Sequence, residues 1–337
     1  MPVPNSLEIR TTTIVPPLVM APMAGITHNP FRVLVEEIGG CGLFYTEMLS
    51  AAAVANESPE RSFYLQNHLK HTPLFYQLLV YEPSQVAPAL EKLVKCNCQG
   101  IDVNLGCTAP PIMKKGGGLA LMLDFERCSK TIRELRSLTE LPLTVKLRLG
   151  DRADWDYLGK LCRMLEDRGV DAITVHGRLK ADRFKRPAKW DFIEKVKQMV
   201  SVPVIGNGDV TDSQSARMMF KETGCEAVMI GRAAVTKPWI FREIASEIWP
   251  EIFPHKETVS YRDIYERYVK LIKKYLPEER QLGRLKEFTA YFAQNFKFGH
   301  TLWRSVQNAS SVEESLEKAR LFLEHHSKEI VSTTKQT

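Results

Sequence analysis

The stretch VPVIGNGDVTDSQSARMMFKETGCEAVMIGR, residues 202–232, holds a complete strand–helix–strand unit. Residues 202–208 and 227–232 are short apolar runs that end in glycine and polar side chains, and residues 211–220 between them have the polar start and spaced apolar positions of an amphipathic helix. Continuous apolar runs read as strands buried on both faces, as in a parallel sheet. Parallel neighbours need a crossover between them, and a helix is the usual one. The spacing predicts that this helix opens with a capping box in which Thr211 and Gln214 satisfy each other's free backbone donors.

Six further runs of the same kind precede this unit, at 17–23, 43–48, 73–79, 100–106, 143–150 and 171–177, with amphipathic segments between them. Eight strand-then-helix units in about 245 residues predict an α/β fold of the (β/α)8 TIM-barrel type. An open doubly wound sheet is the architectural rival, but no GxGxxG follows the first strand. After Pro254 only helical periods remain, in YRDIYERYVKLIKKY, LGRLKEFTAYFAQNF and VEESLEKARLFLEHH, with Ser260/Asp263 and Ser311/Glu314 as start signals. The expected organisation is therefore a barrel domain over residues 1–250 and a small helical bundle over 251–337.

With 337 residues, 44% of them hydrophobic and 26% charged, the chain can bury a large core and has the composition of a soluble globular protein. No apolar run approaches the roughly 18 residues of a membrane span. The first ten residues, MPVPNSLEIR, carry no secretory pattern, so a cytoplasmic monomer without membrane attachment is expected. Seven cysteines without a repeated spacing argue against a disulfide framework, and Cys96 and Cys98 stand too close for the usual zinc pair, so no metal is expected either. The net charge of +6 excludes little by itself.

In a TIM barrel the carboxyl ends of the strands meet at one mouth. Here those ends carry Pro22, Met23 and Ala24; Gln77; Asn104 and Cys107; Lys146 and Arg148; His176 and Arg178; Asn207, Gly208 and Asp209; and Gly231 with Arg232. Polar groups of such varied chemistry are costly to desolvate unless they meet partners, so together they suggest the shell of a cofactor. The loops after strands seven and eight, GNGD and IGRA, fit a phosphate: glycine lets backbone amides approach an anion, and Arg232 adds a bidentate donor. Lys146 near the centre suits the negative charge that a flavin ring acquires on reduction, and Gln77 can donate and accept at its pyrimidine edge.

With those residues in place, the chain resembles the FMN-dependent, bacterial-type tRNA-dihydrouridine synthase family. MAPMAGITHNPFR, NLGCTAP, VKLRLG, ITVHGR with PAKWDFI, IGNGDV and AVMIGRA match its motifs in order, over roughly residues 15–245 and more weakly beyond. The resemblance implies FMN contacts at Pro22, Met23, Ala24, Gln77, Lys146, His176, Asn207, Gly208, Asp209, Gly231 and Arg232, and Cys107 as proton donor. It implies an oxidoreductase acting on a CH–CH bond, with NADPH as electron donor and tRNA as partner. Two departures stand out: Thr108 occupies the place of the family's usual proline after the cysteine, and QLLVYEP lacks a glycine usual after Gln77.

Reducing the C5–C6 bond of uracil takes a hydride at C6 and a proton at C5. A thiol is mostly protonated at neutral pH and can supply that proton. Asn104 can hold the uracil edge or form a turn, and Arg148 is expected beside it as a substrate contact. A stacked uridine cannot reach a barrel mouth, so it must be flipped out with help from contacts elsewhere on the RNA. The basic loop RLKADRFKRPAK after strand six supplies Arg178, Arg183, Lys185 and Arg186 for this, and the tail offers Lys273, Lys274, Arg284, Lys286 and Lys297 with Tyr291 or Phe292 as stacking surfaces. Two rivals remain open on sequence: a flavin barrel acting on free dihydropyrimidines, and an RNA-binding protein without turnover.

Overall fold

The structure, a computed structural model, describes residues 3–182, 185–254 and 260–326. All eight expected barrel strands form: β1 Leu18–Met20, β2 Phe44–Tyr45, β3 Leu74–Leu79, β4 Ile101–Leu105, β5 Leu143–Arg148, β6 Ala172–His176, β7 Val204–Asn207 and β8 Ala227–Ile230. They pair in parallel around the ring, β8 returning to β1 through Met229 opposite Val19, and a parallel bridge between Val19 and Leu43 closes it next to β2. The helices α1 Asn29–Ile38, α2 Val86–Lys95, α3 Phe125–Leu138, α4 Trp155–Asp167, α5 Trp190–Met199, α6 Ser213–Thr223 and α7 Ile240–Ile248 surround it.

The double-sided apolar runs are explained by two separate cores. Val103, Leu105, Val145, Leu147, Ile173 and Val175 point outward under the helices, whereas Val19, Tyr45, Phe75, Ala172, Ile205, Ala227 and Met229 fill the barrel interior. Alternation at period two is thus present, but both faces are dry. A hairpin not foreseen from the sequence, Leu7–Ile9 with Thr12–Ile14, plugs the interior core with Leu7, Ile9 and Ile14. Its turn residue Arg10 pairs with Glu140 and Asp171, which lie just before β5 and β6.

The start of α6 differs from the expected Thr211/Gln214 box. Asp212 is the cap, its carboxylate accepting from the Ser215 amide at 2.8 Å while Ser215 Oγ accepts from the Asp212 amide at 3.1 Å. A carboxylate is a stronger acceptor of orphan helix N–H groups than a hydroxyl, and it displaces the box by one residue.

Beyond the barrel lie α8 Tyr261–Tyr275, α9 Glu278–Phe292, α10 Gly299–Gln307 and α11 Val312–His326. The periodicity marked three of these; α10, nine residues long, is too short to stand out from the loop around it. Ser260 caps α8 by accepting from the Asp263 amide at 3.2 Å. Tyr265, Phe288 and Phe292 form the bundle centre, with Phe288 and Phe292 stacked at 5.2 Å. The bundle is docked firmly on the barrel: Tyr268 packs against His28 and Phe31, Trp239 meets Tyr261 edge-on at 5.0 Å, and Arg267 forms a two-pronged pair with Glu37 at 2.6 and 2.8 Å.

Candidate active site

Ascending the barrel, the interior turns from apolar to polar. Above Phe75, Ala172 and Ala227 come Gln77, Asp102 and Thr144, which stand level with one another across β3, β4 and β5. Asn104 and Lys146 form the next level, and Arg148, His176 and Asn207 the mouth. Two neighbouring spaces, which share Pro22, Ala24, Lys146, Arg148 and His176 in their walls, open above them. The larger, about 810 Å³, extends from Pro22 and Met23 past Lys146 and His176 to Gly231, Arg232 and Lys237. The smaller, about 210 Å³, is bounded by Met48, Gln77, Asn104, Cys107, Lys146 and His176. Together they reach the upper limit, about 1,000 Å³, of ordinary small-molecule sites.

At the smaller space a hydrogen-bonded chain rises from the interior. Thr144 Oγ1 donates to Asp102 Oδ1 at 2.6 Å, and Gln77 Nε2 donates to Asp102 Oδ2 at 2.7 Å. Asn104 Nδ2 donates to Gln77 Oε1 at 2.9 Å. Asn104 Oδ1 accepts from the Gly106 and Cys107 amides at 3.1 and 2.9 Å, an Asx-type turn that fixes how the backbone leaves β4. Burial pushes the Asp102 carboxyl up to about 6. The half-buried Cys107 is held from its other side as well, since its carbonyl accepts from the Leu119 amide at 2.9 Å. Gly118, at φ +58°, lets this glycine-rich loop approach: a Cβ there would lie 2.6 Å from the Cys107 carbonyl oxygen. Pro110 and Pro111 open the helical turn Pro110–Lys114, so the chain is stiffened shortly after Thr108 although Thr108 itself is not proline.

The larger space is strongly cationic. Lys146 Nζ donates to Asn207 Oδ1 at 3.0 Å, and burial, helped by the nearby Arg148, lowers its amine to about 7. Burial and the surrounding Lys146, Arg148, Arg178 and Arg232 hold His176 far below its ordinary value, so its ring is neutral. Arg148 and Arg232 both line this space. Such a surplus of donors in a desolvated pocket fits an anionic ligand. The two motif glycines fit it differently. Gly208 sits at φ +127°, and a Cβ there would be 2.7 Å from Ala188, so protein packing alone requires glycine; a Cβ on Gly231 would meet nothing closer than 3.7 Å, so its bare backbone leaves room at the cavity wall beside Arg232.

A protein-family model described as dihydrouridine synthase matches residues 19–330. The chain belongs to the dihydrouridine synthase family. Its similarity extends to tRNA-dihydrouridine synthase B of Escherichia coli (strain K12), 33% identical over 306 residues that cover 89% of this chain and 94% of that one. The protein of the same name from Pseudomonas putida is 36% identical over 241 residues, 71% of each chain. Among solved structures, histamine dehydrogenase from Rhizobium sp. 4-9 superposes with a TM-score of 0.56 at 10% identity, over 79% of this chain and 50% of that one. An amine oxidase of 6-hydroxypseudooxynicotine from Pseudomonas geniculata N1 gives 0.58 at 13% identity, over 78% and 52%. At these identities the likeness concerns the barrel fold, and this chain spans about half of either enzyme. The dihydrouridine synthase pattern, by contrast, runs through α8 to α11 as well.

Pro22, Met23, Ala24, Lys146, His176, Asn207, Gly208, Asp209, Gly231 and Arg232 all border the larger space, and Gln77, Asn104 and Cys107 the smaller; Arg148 touches both. The Asp209 carboxylate is occupied within the wall, accepting from Arg178 at 2.5 Å and from the Ala188 amide at 2.7 Å. Arg178, expected on the RNA-facing loop, is 3% exposed, with Nε donating to the Arg186 carbonyl. Its place directly after β6 puts it under the loop rather than on it, where the Asp209 carboxylate, itself about one-third exposed, pairs with the buried guanidinium. Lys185 and Arg186 are exposed; Arg183 lies outside the described residues. Phe292 is fully buried in the bundle centre, which leaves Tyr291 as the aromatic at the cavity. The sequence held no motif signal for Glu287 and Gln294, which reach the larger space from α9 and the turn after it, beside Tyr291. It did offer a signal for Asp102: a carboxylate inside the apolar run GIDVNLG.

Proposed function

We propose that the protein reduces the C5–C6 double bond of uridine in tRNA, with FMN as cofactor and NADPH as electron donor. The observation that carries this reading most is the adjacency of the thiol-bearing chamber at Cys107 to the cationic chamber at Lys146 and Arg232, with Lys146, Arg148 and His176 in both walls, within a chain whose relatives are named tRNA-dihydrouridine synthases. When bound, reduced flavin supplies the hydride that C6 of uracil accepts.

Arg232, Lys237 and the open backbone at Gly231 would hold the cofactor's phosphate, and Gln77 and Lys146 its polar ring edge. Lys146, at about 7, gains its full charge when an anionic group arrives, because the ion pair offsets its desolvation. His176, neutral, contributes hydrogen bonding without adding charge. The Sγ of Cys107 gives its proton to C5 as negative charge develops there, and water from outside restores the thiol. Asn104 and Arg148 border the space where the pyrimidine edge would lie. The flipped nucleotide is retained by phosphate contacts at Lys185 and Arg186 and at the bundle's exposed lysines.

Purified protein should carry a flavin absorbance spectrum and, with NADPH, convert unmodified tRNA uridine to dihydrouridine with a gain of two hydrogens by nucleoside mass. Free uracil should not turn over. Turnover of the free base, or flavin-free protein that binds tRNA without reducing it, would overturn the proposal.

A further inference from the structure

The mechanism above uses Cys107 and leaves the most deeply buried carboxylate, that of Asp102, without a task. Asp102 lies at the barrel centre, 1% exposed, below the thiol chamber. Its two oxygens are occupied by Thr144 and Gln77, and the Tyr45 hydroxyl stands 3.4 Å from Thr144 Oγ1. We propose that Asp102 is a positioning residue, whose acceptor-only carboxylate sets the orientation of the Gln77 amide, through it that of Asn104, and so the position of the loop that carries Cys107.

The logic is that of donors and acceptors. Amide side chains have two nearly isosteric ends, and nothing in their shape prevents a half-turn. An ionised carboxylate accepts only, so the NH2 of Gln77 must face it, which turns Oε1 toward Asn104. Asn104 must then offer its NH2 to Gln77, which aims its oxygen at the Gly106 and Cys107 amides. The opposite end of the chain demands the same assignment, because two backbone N–H groups require an oxygen. Every link is thus consistent in one direction only. If Gln77 turned, Asn104 would present NH2 to two N–H groups, and the Asx-type turn beneath Cys107 would be lost. The lower links of the chain, Thr144 and Gln77 on Asp102, are fully buried, conditions in which an unmet donor is costly.

This inference rests on the reading of Cys107 as the working thiol, but its test does not depend on turnover. Alkylation of Cys107 by iodoacetamide, followed by peptide mass in cofactor-stripped protein, reports how firmly the loop is held. Asp102→Leu, similar in size and without an acceptor, should raise the alkylation rate about tenfold, in line with loss of one to two buried hydrogen bonds. Asp102→Asn keeps one acceptor and should give a smaller rise in the same direction, which keeps the test open if the leucine variant fails to fold. Asn104→Ala should raise the rate as well. In the Asn104→Ala background, either substitution at 102 should then have no further effect, because the path to the loop has been cut. A merely structural role for Asp102 would multiply with the loss of Asn104; that outcome, or a wild-type alkylation rate in Asp102→Asn, overturns the proposal. Retained tRNA turnover in Cys107→Ala would instead remove the catalytic reading and leave the alkylation result standing.

Discussion

The barrel mouth and the helical bundle of this protein are built on opposite terms. The mouth holds charge where water has been removed: Asp102 at about 6, Lys146 at about 7, and a neutral His176 among four cations. The bundle interior is aromatic, with Tyr265, Phe288 and Phe292 in mutual contact, and its one buried side-chain pair is the hydroxyl contact of Tyr265 with Thr289 at 2.7 Å among the described residues. Its charges sit outside in pairs such as Lys273 with Glu313 and Arg320 with Glu266. Strained electrostatics mark the region proposed to do chemistry, and relaxed packing marks the region packed against it. The contrast implies that substitutions in the mouth change turnover with little loss of stability, and that those in the bundle do the reverse.

The sharpest way to break this division is Cys107→Ala. Loss of a general acid should lower dihydrouridine formation about a thousandfold while the flavin spectrum and the melting temperature stay close to wild type; a large drop in melting temperature would show that the mouth is structural too. Next in size is Phe288→Ala in the bundle, expected to cost about 3–5 kcal/mol in denaturant unfolding and to leave kcat nearly unchanged at low temperature. A kcat that falls with folding intact would mean the bundle takes part in chemistry, for which Glu287, Tyr291 and Gln294 give it the reach.

A third measurement concerns the buried amine. Lys146 has a folded value near 7 against an ordinary 10.5, so above pH 7 the unfolded chain binds a proton that the folded chain does not. Stability of the cofactor-free protein should therefore rise with pH, by up to about 1.4 kcal/mol per unit from this group between pH 7 and about 7.5, before unfolded thiols, near 8.5, begin to titrate appreciably. Lys146→Met should flatten that slope; an equal slope in both proteins would place the lysine in contact with solvent. The smallest effect is on the surface. Replacing Lys185 and Arg186 by alanine should lower the salt slope of tRNA affinity by about one to two, against a smaller change for Lys273→Ala with Lys274→Ala on the bundle. Lys273 is already paired with Glu313, and Lys274 lies over the Tyr275 ring.

How far each region could be read from the sequence follows the same division. Parallel strands buried on both faces leave long apolar runs, so all eight were visible, and the residues ending them were found at the mouth because the barrel architecture sends every strand end there. What escaped had weak or misleading local signals. The three-residue strands of the hairpin are too short for a period to develop. Arg178 looked like one more cation in a basic loop, and only the carboxylate of Asp209 draws it inside. The cap of α6 went to Asp212 because acceptor strength outweighed the Thr–Gln spacing.

What the order of residues determined here is the alternation of strands and helices, and with it the level at which each strand-end side chain stands, since period and chain connectivity are local and survive without knowledge of neighbours. Only the folded chain decided which amide faces which, how Asp102 orients Gln77 and Asn104, that Gly231 leaves space where Gly208 does not, and that α9 overhangs the cavity from across the molecule. Those are matters of hydrogen-bond direction and excluded volume between groups far apart in sequence, and they come into being when the barrel closes and the bundle docks upon it.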